Sequence, residues 1–177
     1  HKNGYTTLNV DIKPYITDDQ ETQEILIVVS GIEEKDLPPF GGVVDYLGYV
    51  GIYREVYVDF INSYHIKDVF MYTKDPMSDD ILSIEVETSS HQGFLEVEVY
   101  DIEKQLVKKQ KFQISETQSL LEVEVKQKKL WSLDNPYLYD IKIAYIVNDV
   151  SFDLYSHKFG FRTLEFRSDG FYINQQF

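Results

Sequence analysis

The sequence predicts an all-β fold whose main body is an immunoglobulin-like β-sandwich. Three observations carry that expectation. Apolar residues recur with period two over several short runs, which places them on one face of a strand and leaves the other face to charged residues. Segments rich in Asp, Asn, Ser, Gly and Pro separate the runs. Aromatics make up 15% of the chain, with 14 Tyr and 11 Phe against one Trp, and these rings favour pleated, half-buried surfaces.

Taken in order, the first strand-like runs lie at about 5–12, at Glu24-Ile25-Leu26-Ile27-Val28-Val29 and at Glu55-Val56-Tyr57-Val58. Ile25 to Val29 is continuously apolar, which predicts a strand buried on both faces. A long irregular stretch, Gly31 to Gly51, lies between the last two runs. Three strands and a long loop make a poor independent core, so this part reads as an incomplete sheet.

Seven further runs follow at about 64–73, 81–88, 94–101, 106–113, 119–126, 137–147 and 151–162. Leu82, Ile84 and Val86 alternate with Ser83, Glu85 and Glu87. Leu95, Val97 and Val99 alternate with Glu96 and Glu98, and Leu121, Val123 and Val125 with Glu122 and Glu124. Tyr139, Ile141, Ile143 and Tyr145 alternate with Asp140, Lys142 and Ala144. Each run buries one face and wets the other, as strands of antiparallel sheets do. The connectors are Asp75-Pro76, Ser78-Asp79-Asp80, Ser90-His91-Gln92-Gly93, Asp134-Asn135-Pro136 and Asn148-Asp149. Seven short strands in about 100 residues fit an immunoglobulin-like sandwich, and the absence of cysteine excludes a disulfide-bonded antibody-type domain.

Composition narrows the function. A formal net charge of −13 repels phosphate backbones and anionic membranes, so no nucleic-acid and no membrane partner is expected. Without cysteine there is no disulfide scaffold, thiolate metal site or Cys nucleophile. That absence is compatible with a cytoplasmic protein, which is preferred here to a secreted one. His1-Lys2-Asn3-Gly4 has no signal-peptide hydrophobic region, which in a fragment says nothing of the parent. No cofactor and no metal is expected.

The candidate catalytic pairs are Glu96 with Glu98 and Glu122 with Glu124. Residues i and i+2 of a strand share a face about 7 Å apart, whereas a carboxylate pair that divides acid/base and nucleophilic work sits ~5–5.5 Å apart in a cleft. A solvated sheet face accounts for them better, and Asp79-Asp80 reads as a polar turn. His1, His65, His91 and His157 lack zinc-ligand spacing. Gly41-Gly42, Gly48 and Gly51 lack the Lys-Ser/Thr of a phosphate loop. Trp131 reads as a packing residue at the start of the sixth strand in preference to a sugar platform. Tyr46, Tyr49 and Tyr53 form an aromatic loop whose expected role is packing.

Three segments together resemble glycoside hydrolase family 2. Gly4-Tyr5-Thr6 with Asp11-Ile12 resembles a passage inside the family's N-terminal, galactose-binding-like jelly roll. Leu37-Pro38-Pro39, Asp45-Tyr46 and Gly51-Ile52-Tyr53-Arg54-Glu55-Val56 resemble the segment that closes it. Leu130-Trp131-Ser132, Asn135-Pro136, Leu138-Tyr139, Gly160-Phe161-Arg162-Thr163 and Asp169-Gly170-Phe171-Tyr172-Ile173-Asn174 resemble the end of the immunoglobulin-like domain and the lead-in to the catalytic barrel. There are departures. Val50 stands where the family has a Gly, 40–49 is longer than the usual link, and Gln175 replaces the Gly of an Asn-Gly turn, a pair suited to positive φ at both positions.

The resemblance implies a partial jelly-roll β-sandwich at 1–61, an immunoglobulin-like β-sandwich at 62–163, and the start of a missing (β/α)₈ barrel at 164–177. It implies a parent that cleaves terminal β-glycosidic bonds with retention, as a β-galactosidase first, a β-glucuronidase second and a β-mannosidase after these. Both catalytic glutamates would sit in the missing barrel, which would also hold the carbohydrate substrate, so no catalytic residue is expected within the chain. Arg54 and Arg162 lie in recurrent family motifs at domain junctions. They are expected to hold domain interfaces and not to bind substrate, since a buried Arg must be paired. A homo-oligomeric parent stays open. The rival reading is a stand-alone immunoglobulin-like or carbohydrate-binding module of a surface protein.

Overall fold

The protein is described by a computed structural model covering residues 6–17, 21–32, 34–36 and 50–177. The chain divides into two units, His1–Asp59 and Phe60–Phe177. Among the described residues there is no α-helix, and the second unit is almost entirely strand.

In the first unit the one regular element among the described residues is a 3-10 turn, Lys13–Tyr15. Pro14 fixes φ near its start, the Asp11 carboxylate accepts from the Lys13 amide at 3.0 Å, and the Tyr15 amide donates to the Ile12 carbonyl at 2.9 Å. The expected strands at 24–29 and 55–58, and the described part of 5–12, are not strands. Ile25 to Val29 is not buried on both faces either: exposures run from 47% at Val29 to 85% at Val28. Strand propensity needs a paired neighbour to become a strand, and these runs have none here. The Pro38-Pro39, Gly41-Gly42, Tyr46 and Tyr49 features, with His1 and Gly4-Tyr5, lie outside the described residues.

In the second unit the seven expected runs are strands: β1 Ile66–Tyr72, β2 Ile81–Thr88, β3 Phe94–Tyr100, β4 Leu106–Gln113, β5 Gln118–Glu124, β6 Tyr139–Val147 and β7 Val150–Phe159. They form two antiparallel sheets, ordered β1-β2-β5 and β4-β3-β6-β7. Leu82, Ile84, Val86, Leu121, Val123 and Val125 of the first sheet meet Leu95, Val97, Val99, Ile141, Ile143 and Tyr145 of the second in one core. Burying each such aliphatic side chain contributes about 1.5–3 kcal/mol. β1 and β7 are joined where the Ile66 amide donates to the Asp153 carboxylate at 2.8 Å. A short hairpin, β8 Leu164–Arg167 with β9 Gly170–Ile173, closes the chain.

The connectors explain the register. Asn148 and Asp149, at φ 49° and 60°, make the primed two-residue turn that matches strand twist between β6 and β7. At Gly93, φ 99°, a Cβ would strike the Ile146 carbonyl, so the β2–β3 link passes against β6 only as glycine. The Tyr145 hydroxyl lies 2.8 Å from the Ser90 carbonyl and 2.9 Å from that of Gln92, tying the same link down. Tyr139, at the start of β6, accepts the Lys129 amide at 2.9 Å, much as the tyrosine corner does in immunoglobulin-type sandwiches.

The Lys128 side chain is almost fully enclosed, with 6% exposed. Its ammonium lies 2.6 Å from both the Asp79 carbonyl and the Asp80 carboxylate, and 5.8 Å from the centre of the Phe161 ring. Asp79-Asp80 is thus a polar turn with a specific task, to fix the segment after β5 against the start of β2. Removing one partner of an enclosed pair costs more than removing both. Because the Asp80 side chain is itself 40% exposed, Asp80→Ala should lower stability by about 1–2 kcal/mol, and adding Lys128→Met should recover most of the loss. Urea midpoints of the single and double variants check this; equal midpoints would show that the pair does not act as a unit.

Candidate functional site

The acidic pairs come first. Glu96 and Glu98 share the outer face of the four-stranded sheet, with the Lys109 ammonium 2.7 Å from one and 2.8 Å from the other. Strand pairing places Lys109 directly opposite Glu98 on β4 and Lys142 opposite it on β6. The Tyr100 hydroxyl donates to Glu98 at 2.7 Å, and the Lys142 ammonium sits 5.0 Å over the Tyr100 ring. Hydrogen bonds from Lys109 and then Tyr100 hold the Glu98 carboxyl below its ordinary range. Its bonds to Glu96 and then Glu98 push Lys109 up, and the bond to Glu98 pushes Tyr100 up. A carboxylate held ionised by donors on both sides is a poor proton donor.

Glu122 and Glu124 face outward from the three-stranded sheet, beside Lys74 at 4.0 Å and Lys126 at 3.5 Å. His91 and His157 are exposed, and half-buried His65 has its Nδ1 2.8 Å from the Asn62 carbonyl. No group of three or more metal-ligating side chains occurs among the described residues.

The one place where motif residues converge is the seam between the sandwich and the β8–β9 hairpin. The Trp131 amide donates to the Phe161 carbonyl at 2.8 Å, and Trp131 packs over buried Gly160, where a Cβ would lie 3.0–3.1 Å from its atoms. Asn174 ties the hairpin to this edge. Its side chain donates to the Trp131 carbonyl at 2.8 Å and accepts the Thr163 amide at 3.0 Å. Its own amide donates to the Thr163 carbonyl at 3.1 Å. Asn174 and Gln175 adopt φ 50° and 64°, and Ile173 and Gln176 exchange two backbone bonds of 2.9 Å. Gln175 thus takes up the primed turn that Asn-Gly normally supplies.

Arg162 is exposed, its guanidinium lies 5.1 Å over the Trp131 ring, and it donates to the Gly160 carbonyl at 3.3 Å, with no carboxylate fork among the described residues. Arg54 is exposed as well, and Tyr53 is 62% exposed.

Beside the seam opens a polar cleft of about 430 Å³, lined by Thr73, Lys74, Asp75, Arg162, Thr163 and Glu165 among others. Its two carboxylates are engaged. Asp75 accepts from the Ser78 hydroxyl at 2.6 Å and the Met77 amide at 3.1 Å, bonds that lower its pKa. Glu165 accepts twice from Arg167, at 2.7 and 2.9 Å. No aromatic ring lines the cleft, so the stacking platform that sugar sites use is missing from it. Sequence reading did not pair Asp75 with Glu165, because they lie 90 residues apart with no shared motif.

Residues 64–162 match the family model for glycosyl hydrolases family 2. The chain is 36% identical to a β-galactosidase of Thermoanaerobacter pseudethanolicus, over 98% of this chain and 24% of that protein. It is 34% identical to a β-galactosidase of Thermoanaerobacterium thermosulfurigenes, over 98% of this chain and 26% of the relative. A solved β-glucuronidase of Ruminococcus gnavus superposes with a TM-score of 0.51 at 25% identity, over 64% of this chain and 18% of the other. The chain spans about a quarter of the length of the two β-galactosidases.

Two expectations follow from the geometry. Asn174→Ala removes two side-chain hydrogen bonds, about 2 kcal/mol of local stability, so hairpin amides should exchange roughly 30-fold faster while β3 and β6 amides keep their rates. Unchanged hairpin exchange would rule out the staple. Folding favours ionised Glu98, so its contribution is complete above the ordinary carboxyl value of 4.5 and is lost as pH falls through the depressed one. The gap in urea midpoint between wild type and Glu98→Gln should therefore be present at pH 7 and shrink as pH drops below 4.5; a constant gap down to pH 3 would contradict this.

Proposed function

Because this chain belongs to glycosyl hydrolases family 2, we propose that it is the non-catalytic bracket of a longer retaining hydrolase of terminal β-glycosidic bonds, with a β-galactoside the first choice of substrate and a β-glucuronide the second. The observation that carries the reading is the extent of the likeness. Nearly the whole chain aligns with proteins named β-galactosidase at 36%, 34% and 24% identity, against 23–25% for those named β-glucuronidase, so the two highest identities favour the first substrate. In this reading 1–61 is the end of the sugar-binding jelly roll, 62–163 the immunoglobulin-like sandwich and 164–177 the lead-in to the barrel. The two glutamates that act as acid/base and nucleophile lie in that barrel.

The chain's own residues suit an architectural role. Glu96 and Glu98 are engaged by Lys109, and Asp75 and Glu165 by their own neighbours. Arg162, exposed over Trp131 and with donors to spare, is placed to hydrogen-bond the next domain across the seam.

Turnover of a chromogenic β-galactoside tests the reading. The complete polypeptide should hydrolyse it, and the 177-residue chain alone should not. Hydrolysis by the chain alone would put catalytic groups inside it. A complete polypeptide inert to both β-galactosides and β-glucuronides would favour the stand-alone binding module instead.

A further inference from the structure

The three-stranded sheet encloses a hydroxyl on its outer side. Ser83 lies between Leu82 and Ile84, which belong to the core, so its side chain falls on the opposite face. It is nevertheless only 1% exposed, and its hydroxyl has no hydrogen-bond partner among the described residues. An enclosed hydroxyl without a partner costs stability that alanine would not. Ser83 lines a cavity of about 110 Å³ with Lys74, Asp79, Ile81 and Glu122. The charged groups around it are loosely engaged. Glu122 stands 4.0 Å from the Lys74 ammonium, and Asp79 accepts the Ile81 amide with one oxygen at 3.0 Å, which leaves its second oxygen able to accept.

Strand register sets two aromatic rings beside this cavity. Tyr72 on β1 lies opposite Ser83, and Phe70 lies opposite Glu85, which in turn faces Leu120 on β5. The Phe70 and Tyr72 rings are 5.6 Å apart with their planes 30° from parallel, and Phe70 is 59% exposed. We propose that this face is a binding site for a neutral carbohydrate, with the Phe70–Tyr72 pair under the apolar side of a pyranose ring and a sugar hydroxyl or hydroxymethyl group in the Ser83 cavity. The inference stands on this face and does not depend on the hydrolase reading.

The chemistry of the walls selects that class. A sugar ring presents C–H groups on one side, which pack on aromatic faces, and hydroxyls at its rim that both donate and accept. Glu122 and Asp79 accept from such hydroxyls, the Lys74 ammonium donates to them, and the Ser83 hydroxyl does either. A few converging polar groups beside an apolar wall are what a small-ligand site requires. A metal ion fits less well, because the Lys74 ammonium already supplies the positive charge beside Glu122. An acidic sugar fits less well, because Asp79, Glu85 and Glu122 outnumber Lys74. A protein laid over the face would enclose Glu85 and Glu122 away from water, at a heavy cost for each charge left without a partner. A sugar leaves part of each carboxylate wet.

Titration of the 177-residue chain with a thio-linked digalactoside, followed by amide NMR, tests this. Signals of residues 70–72 and 83–85 should shift saturably while those of β3 and β6 stay in place. Phe70→Ala should weaken binding about tenfold, the loss of one aromatic contact. Ser83→Ala should weaken binding and at the same time raise the urea midpoint, since it removes an enclosed hydroxyl without a partner. Methyl β-glucuronide should bind about tenfold more weakly than the digalactoside. Absence of saturable shifts would overturn the proposal, as would a Ser83→Ala variant with a lower midpoint and unchanged affinity, which would make the serine structural. Shifts at the same residues that grow with protein concentration in the absence of sugar would assign the face to a second copy and overturn it as well. Hydrolysis of β-galactosides by a complete polypeptide whose 177-residue chain binds no sugar sinks this inference alone. Binding by the chain, with a complete polypeptide that hydrolyses no β-glycoside, supports the site and sinks only the enzymatic reading.

Discussion

Alternation is the constraint from which the rest of the sandwich follows. A strand that buries every second side chain needs a second sheet to bury them against, and the two sheets meet through Leu82, Ile84, Val97, Ile141 and Ile143, all fully enclosed. A slip of one residue in any of these strands would turn aliphatics outward and bring Glu85, Glu96 or Lys142 into the core, at a cost of several kcal/mol for each enclosed charge. The turns are subordinate to that requirement. Asn148-Asp149 at positive φ and glycine at 93 are what a fixed register demands of the links between strands.

The same alternation decides where the charge goes. A chain with a net charge of −13 holds Glu96, Glu98, Glu122 and Glu124 on the outer faces of two sheets, where like charges sit close together. On the four-stranded sheet that repulsion is offset by lysines supplied in register from β4 and β6, so that Lys109 bridges Glu96 and Glu98. β4 is also an edge strand, and Lys108, Lys109 and Lys111 along it discourage pairing with another chain. One set of lysines thus balances a face and guards an edge. This is why the paired carboxylates, which look suggestive in one dimension, are chemically quiet in three.

The parts legible in the sequence are those whose cause is local. The seven sandwich strands were readable because period-two alternation and turn residues sit within a dozen residues of each other. The runs at 24–29 and 55–58 carry equally strong β signals but form no strand, since pairing is not a property of the run itself. Long-range chemistry was likewise hidden. Nothing near Lys128 in sequence announces that its ammonium would be enclosed by Asp80, 48 residues earlier. Nothing near Arg162 foretells that it would rest on Trp131 in place of a carboxylate. Gln175 shows the converse. A side chain disfavoured at positive φ is held there because Asn174 makes three hydrogen bonds across the seam, each worth about 1 kcal/mol net, enough to outweigh the roughly 1–2 kcal/mol of left-handed strain.

The balance of finished and unfinished surfaces separates what this chain does by itself from what it does for something larger. The sandwich is finished: its core is closed, its outer carboxylates on the four-stranded sheet are neutralised and its links are pinned. The ends of the chain are unfinished in a specific way. The segment from Ile25 to Val29 offers apolar side chains and backbone groups with no sheet to join, and the hairpin offers an apolar face with no cover. A solitary binding module has no reason to leave both flanks apolar while closing its middle, because exposed aliphatic surface invites association without selectivity. The spacer role proposed above accounts for both. Within the second unit the hairpin is held to the closed sandwich by the Asn174 side chain, which bonds Trp131 on one side and Thr163 on the other.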